Sequence, residues 1–344
     1  MDKAKHKKRS ILLVAMRIIA VFAIPLLLCS CNEIHTPSTF QSISSVFDGM
    51  AVVHNGEHWG VIDIVSGDEI IPFGKYGHVR SAGDGMIVAE IGYDLALIDV
   101  VSGDEIIPFG IFDGFSRVYD GMVAVSLDRH WALIDIASGH HIIPFGEFRN
   151  IGPAYNGMVL VNIEREGFRW STYPAIIDIE TREEIIPFGI YDAIWSFSHG
   201  IAYVEYRGEK FQTDNIQITG DVGAVDVITG RELIPLGEYG RINILSYNLA
   251  AVASDWRGRF WGLVELSSGR MLIPFGEYGG FFGYSDGMIV VTTNYGEHGI
   301  INIADRNEIV PFGIYDRIML FHDGVMAIYQ GYGWWFQHIS KYLE

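Results

Sequence analysis

Several short patterns in this chain carry the residue types that chemistry needs. Gly283-Tyr284-Ser285-Asp286-Gly287 has the Gly-x-Ser-x-Gly spacing that presents a serine nucleophile when it sits on a sharp strand-to-helix turn. His54 and His58 stand four apart, and His140 and His141 are adjacent, the residue type that ligates zinc. Ser66-Gly67-Asp68-Glu69 and Ser102-Gly103-Asp104-Glu105 are acidic stretches with the oxygen donors that calcium prefers. None of these completes a centre. No helical pattern follows Ser285, and the first histidine pair falls on an expected hairpin loop without a third ligand. The acidic stretches lack the alternating ligands and closing Glu of a calcium loop, and no Gly-rich phosphate loop is present. The expectation is a non-enzymatic protein with no catalytic residue, no metal and no cofactor.

Recognition chemistry is better represented. Arg165, Arg169, Trp170 and Tyr173 form one group. Arg207, Lys210 and Phe211 form a second, and Asp255, Trp256, Arg257, Arg259 and Phe260 a third. Arg beside Trp or Tyr is the usual make-up of an interaction hot spot, and aromatic rings also stack on sugars. These groups, Asp255 apart, are the candidate binding residues.

A repeat positions them. Glu69-Ile70-Ile71-Pro72-Phe73-Gly74 recurs at residues 105–110 and 184–189, with variants at 141–146, 232–237, 271–276 and 308–313. The prolines Pro72, Pro108, Pro144, Pro187, Pro235, Pro274 and Pro311 are spaced 36, 36, 43, 48, 39 and 37 apart, so the unit is 36 residues with insertions in the middle. One unit reads Phe47-Asp48-Gly49-Met50-Ala51-Val52-Val53, a turn, Trp59-Gly60-Val61-Ile62-Asp63-Ile64, Ser66-Gly67, Glu69–Phe73 and Tyr76–Val79. Three strands are strong and the fourth, Tyr76–Val79, is weaker. Asp-Gly is a turn signal, and in the sixth unit Asn248 stands at the Gly position as the next residue to tolerate positive φ. Asp63, Asp99, Asp135, Asp178 and Asp226 precede the Ser/Thr-Gly turns, where their carboxylates are placed to accept backbone amides. The Pro of each unit removes a donor and marks a strand end or edge.

These residues resemble the bacterial WG-repeat family, also called KWG repeats, over about residues 40–344. The naming pair survives at Trp59-Gly60 and Trp261-Gly262, and the second position stays small at Ala96, Ala132, Ala175, Gly223 and Gly299. A small residue there indicates close approach of a ring or backbone. The resemblance implies a repeat fold and carries no defined biochemical activity.

The expected fold is all-β: antiparallel units of about 36 residues closed into a β-propeller of about eight blades with a shared terminal blade. An open curved β-repeat array is the alternative. Val-Ile-Asp-Ile and Glu-Ile-Ile-Pro-Phe do not alternate, as in strands buried on both faces. The last unit stops after Trp334–Ile339 without a Glu-Ile-Ile-Pro strand. Glu33-Ile34-His35-Thr36 lies seven residues before Phe40, the spacing of Glu69 to Tyr76, and could complete the final sheet. Closure would remove two exposed edges.

The insertions fall in one loop. From the Gly or Asn before the Met-Ala-Val-type strand to the acid ending the next, Gly49 to Asp63 is 14 residues, Gly157 to Asp178 is 21, Gly200 to Asp226 is 26 and Asn248 to Glu265 is 17. Three consecutive units therefore carry longer loops at one end of the repeat, where binding surfaces usually lie.

Residues 1–30 have a basic start and an apolar run, Ile18–Leu28, too short to cross a bilayer comfortably. Leu28-Cys29-Ser30-Cys31 resembles the bacterial lipobox. The resemblance implies a cleaved signal peptide, 1–30, and a diacylglycerol thioether on Cys31, hence a membrane partner through the N-terminal lipid and an extracytoplasmic place in the bacterial cell envelope. The domain is then 31–344, with no second Cys for a disulfide. Residues 1–31 hold six basic and one acidic side chain, which leaves 18 basic against 41 acidic and a net charge of -23. That field repels nucleic acid, which is excluded as a partner. The expected function is a lipid-anchored surface scaffold binding a protein, peptide or glycan. The alternatives are a glycan-acting enzyme, which needs two carboxylates converging in a central pocket, and a passive spacer.

Overall fold

The computed structural model describes residues 39–164, 172–207, 220–320 and 324–342. They form an eight-bladed β-propeller of antiparallel sheets in simple sequential order. Blade 1 comprises Ser42–Phe47, Met50–His54, Trp59–Asp63 and Glu69–Ile71. The first strands of successive blades approach one another, which places them innermost, around the axis. The Glu-Ile-Ile strands lie outermost.

The blade boundary sits half a unit away from the sequence repeat. Residues 76–79, expected as a weak closing strand, instead lead into His78–Gly83, the six-residue innermost strand of blade 2. The weak strand is Glu69–Ile71, three residues long, because Pro72 cannot extend the ladder. In blades 5 and 6 the outer strand continues past the proline, as Glu232–Tyr239 and Arg270–Tyr278, at the cost of breaks in register.

Closure is explicit. Phe40 bridges Trp334 in the last blade, with Phe40 N–H donating to Trp334 O at 2.8 Å and Trp334 N–H to Phe40 O at 2.7 Å. Blade 6 pairs Trp261 with Tyr278 at the equivalent position. The N-terminal segment thus supplies the fourth-strand position of blade 8. Glu33–Thr36, expected to do so, lie outside the described residues.

The core is a ring of layers between blades, not one centre. Val52 and Val61 of blade 1 pack with Val79, Ile87 and Ile98 of blade 2, and the pattern repeats around the circle. Phe40, Val53 and Ile62 close it against Ala327 and Phe336 of blade 8. This double-sided burial is why the central strands do not alternate. The Gly at the Trp-Gly position is tight: a Cβ on Gly60 would stand 2.9 Å from the Phe73 ring, and on Gly299 2.8 Å from that of Phe312.

The turns at one end follow the expected chemistry. Asp48 and Gly49 both have positive φ, 47° and 74°, as two-residue hairpins of the primed type require. Asp63 Oδ1 accepts the amides of Val65 and Ser66 at 2.9 and 2.7 Å, and Asp99, Asp178 and Asp226 repeat the arrangement. Asp135 is held below the usual carboxylate value chiefly by the Ser138 hydroxyl. Asn248 departs from expectation. It is absent from the positive-φ residues, and its Oδ1 instead accepts the Ser267 amide at 2.8 Å, so its side chain replaces the capping Asp rather than the glycine.

Candidate functional site

The loops between second and third strands lie at the opposite end from the Asp-Gly turns, beside the blade-to-blade connections. Each is closed by the same bond. The residue before a blade's first strand donates its amide to the carbonyl at the end of the second strand, from Gln41 to His54, Gly77 to Glu90, and on through Asp316 to Tyr329. That residue's side chain then decides how the loop is held. Asp113, Asp192 and Asp316 cap it by accepting the amides of Asp128, Arg207 and Gly331 at 2.7, 2.7 and 2.8 Å.

The three long loops emerge from Met158–Glu164, Ile201–Tyr206 and Leu249–Ala253, the second strands of blades 4, 5 and 6. Their roots lie in consecutive blades at this one end. Arg165, Arg169, Trp170, Lys210 and Phe211 lie outside the described residues, as does Cys31. At the root of the blade 4 loop, Tyr173 pairs with Ile163 in the ladder. Arg149 meets Glu164 at 3.0 Å, and Thr172 Oγ1 donates to Asn162 Oδ1 at 3.3 Å.

In blade 5 the root is a buried carboxylate that the sequence did not single out. Glu205 is only 5% exposed. It accepts Arg207 Nε at 2.8 Å, the Gly220 amide at 3.0 Å and the Trp195 indole N–H at 2.8 Å. Burial pushes this carboxyl up, but the Arg207 guanidinium and the Gly220 and Trp195 donors hold it below the usual carboxylate value. Glu205 therefore ties both ends of the loop, Arg207 and Gly220, together.

In blade 6 the loop is packed down. A Cβ on Gly240 would fall 2.0 Å from Asp255 C and 2.3 Å from Trp256 N. Asp255 accepts Arg259 Nε at 2.6 Å, and Ser254 N–H donates to Phe260 O at 3.0 Å. This compact turn leaves Trp256 57% exposed, with the Arg257 guanidinium 5.0 Å from its ring centroid. Phe260 is also exposed, beside Gly276. Tyr93, Tyr295 and Tyr332 stand almost fully exposed on the corresponding loops of blades 2, 7 and 8. Their signal was positional: an aromatic at the tip of a short polar hairpin.

The other patterns resolve as structure. Ser285 is buried and donates to Asp286 Oδ2 at 2.8 Å on the first turn of blade 7, with no helix after it. His54 bonds Gln41 at 3.0 Å and meets the Trp59 ring, and His141 meets Phe145. Among the described residues no three His, Cys, Asp or Glu could hold a metal. A groove of about 620 Å³ lies between blades 3 and 4 at the long-loop end, lined by Arg129, His130, Glu147 and Arg149 among others.

With this geometry in view, comparison with known proteins is informative about the unit. Residues 176–209 match the family model of the WG containing repeat. This WG repeat starts in the third strand of blade 4 and ends just past the second strand of blade 5, so it straddles a blade boundary. No curated protein matches the chain in sequence. Among solved structures it is similar to the computationally designed Ika8 protein, at 14% identity and TM-score 0.51, covering 89% of this chain and 99% of that one. It is also similar to a structure titled as the eukaryotic initiation factor, at 10% identity and TM-score 0.55, covering 88% of each chain. Identities this low speak to the fold alone.

Proposed function

We propose that this protein is a non-enzymatic binding scaffold whose long-loop end engages a protein, peptide or glycan. A propeller built on WG repeats fits a binding or scaffold role. The observation that carries the assignment is the run of long loops in three consecutive blades, with Trp256 and Arg257 exposed and stacked on the blade 6 loop. Aromatic-Arg pairs of this kind supply contact area with little conformational entropy to lose. In this reading Cys31 carries the lipid that holds the scaffold at the bacterial cell envelope, facing out of the cytoplasm. Two acyl chains suffice for stable anchoring.

The test is a screen of the full chain in detergent against secreted proteins, peptides and envelope glycans. Trp256→Ala and Arg257→Glu are run in parallel. Loss of a ligand by both variants is expected. A ligand that both retain would move the site elsewhere, and no ligand in any class would favour the spacer. Labelled palmitate incorporated by the chain and lost in Cys31→Ser is the matching result for the anchor.

A further inference from the structure

The cleft between blades 6 and 7 lacks the acidity of its counterparts. It encloses about 490 Å³ at the Asp-Gly end, away from the long loops, and turns of both blades line it. Strand register makes the lining positions comparable from one junction to the next. Between blades 1 and 2 those positions hold five carboxylates, Asp48, Asp63, Asp68, Glu69 and Asp99, and no basic residue. Between blades 2 and 3 they again hold five, Asp84, Asp99, Asp104, Glu105 and Asp135. Between blades 6 and 7 the same positions are Tyr247, Glu265, Arg270, Met271 and Asn302, and Arg306 stands where blade 2 has Gly103. One acid and two bases replace five acids, so a lining of charge -5 becomes one of +1 in an acidic chain. Where a repeat departs from its own residue types without a structural return, function is the usual reason.

Packing accounts for one of these changes and not for the others. Arg306 takes a φ of 62° and reaches back to blade 6, donating to Leu272 O at 2.9 Å and to Glu277 at 2.8 and 2.9 Å. Arg182 does the same between blades 3 and 4, on Ile142 O and Glu147, so this arginine clasps neighbouring blades. Arg270 has no such duty. Its side chain is 70% exposed, and its one partner among the described residues is Glu265, 3.9 Å away. Glu265 also accepts the Ser268 hydroxyl. Asn302 keeps the capping task of the aspartates, its Oδ1 accepting the Ala304 amide at 2.8 Å, and Asn248 Oδ1 accepts that of Ser267 at 2.8 Å. Neither Nδ2 has a partner among the described residues. At Asn302 that donor stands where an aspartate has its second carboxylate oxygen. Tyr247, also lining the cleft, is 74% exposed.

We propose that this cleft binds an organic monocarboxylate with an apolar body, its carboxylate on Arg270 and the Asn248 and Asn302 amides and its body against Met271, Leu272 and Tyr247. A guanidinium fork pairs with a carboxylate, and the amide N–H groups serve its remaining lone pairs. A lining of +1 balances one negative charge, whereas a dianion would exceed it and meet Glu265. The free C-terminal residue of a peptide and a free organic acid share this chemistry, and the volume admits either. The cleft shares no residue with the long-loop face, so the two assignments fail separately.

The experiment is calorimetric titration of the full chain in detergent, at low ionic strength, with acetyl-alanyl-alanyl-phenylalanine, with its C-terminal amide and with phenylpropionate. The expected result is saturable binding of the peptide acid or of phenylpropionate and none of the amide; whichever acid binds names the source. Arg270→Asp introduces the residue type of Asp68, and Asn302→Asp that of Asp99, so both variants carry side chains that the fold already accepts at those positions. Each weakens the acid about tenfold or more, as for loss of a charge-assisted contact, and their melting temperatures check the fold. Arg257→Glu leaves the affinity unchanged. Equal binding of acid and amide, no binding of either acid at millimolar concentration, or unchanged affinity in Arg270→Asp and Asn302→Asp overturns the proposal. Inorganic phosphate or sulfate binding as tightly as the acid overturns it as well.

Discussion

The loops of blades 5 and 6 begin from the same scaffold position and are held in opposite ways. Blade 5 has Asp192 before its first strand and anchors its loop through charge: Asp192 takes the Arg207 amide, and Glu205 gathers Arg207, Gly220 and Trp195. Blade 6 has Gly240 there. With no side chain to cap the loop, the backbone of Asp255 and Trp256 descends into the vacated space. One device ties the two ends of the loop at its root. The other presses the entire turn onto the blade and fixes where Trp256 points. A binding face can thus combine a charge-tied loop root and a preset anchor, and the choice between them is made by one residue.

The sharpest way to break this contrast is Gly240→Ala. Its methyl overlaps the backbone of Asp255, so the turn must lift. Overpacking of this order costs about 1–3 kcal/mol, read as a lower melting temperature together with new protease cleavage between Ser254 and Phe260. Glu205→Gln comes next. It removes the charge that Arg207 and two other donors share, for a loss of about 2 kcal/mol in denaturant titration, discounted because Arg207 is about a third exposed. The blade 6 turn should be untouched.

Acid sharpens the comparison further. The folded Glu205 carboxyl lies below its unfolded value, so its stabilisation is complete above the unfolded value and disappears as pH falls through the folded one. Wild type should lose stability on acidification more steeply than Glu205→Gln across that window. Parallel curves would show that Glu205 contributes nothing by its charge. The smallest effect belongs to Arg259→Ala. Its pair with Asp255 is largely solvent-exposed, and surface pairs contribute little. The melting temperature should not move measurably, whereas Trp256 emission should shift if the pair shapes the turn.

Much of the ring was readable because identical residue types recur at identical spacing. The Asp-Gly hairpins, the capping aspartates, the terminating prolines and the small residue after Trp59 each have a local cause. Closure was readable from a strand missing at one end. The blade boundary was not, since a periodic sequence has no natural starting point and Tyr76–Val79 reads equally well as an end or a beginning. Asn248 was misread because its side chain had two uses and the cap prevailed over the left-handed backbone. Glu205 and Gly240 escaped notice for another reason. Their partners are set by register across strands, with Gly220 fifteen residues from Glu205 and Asp255 fifteen from Gly240. In isolation each is an ordinary Glu and an ordinary Gly.

Phe40 also changes how the molecule comes apart. A stack of repeats with free ends frays from both, one layer at a time, and its outermost layers set how quickly proteases find a grip. Here the segment just before the first strand and the last blade share two hydrogen bonds and the packing of Phe40 on Phe336. Peeling from either terminus must start by breaking that same junction, so the two fraying routes merge into one event. The lifetime of the folded ring, rather than its equilibrium stability, is the quantity this junction governs.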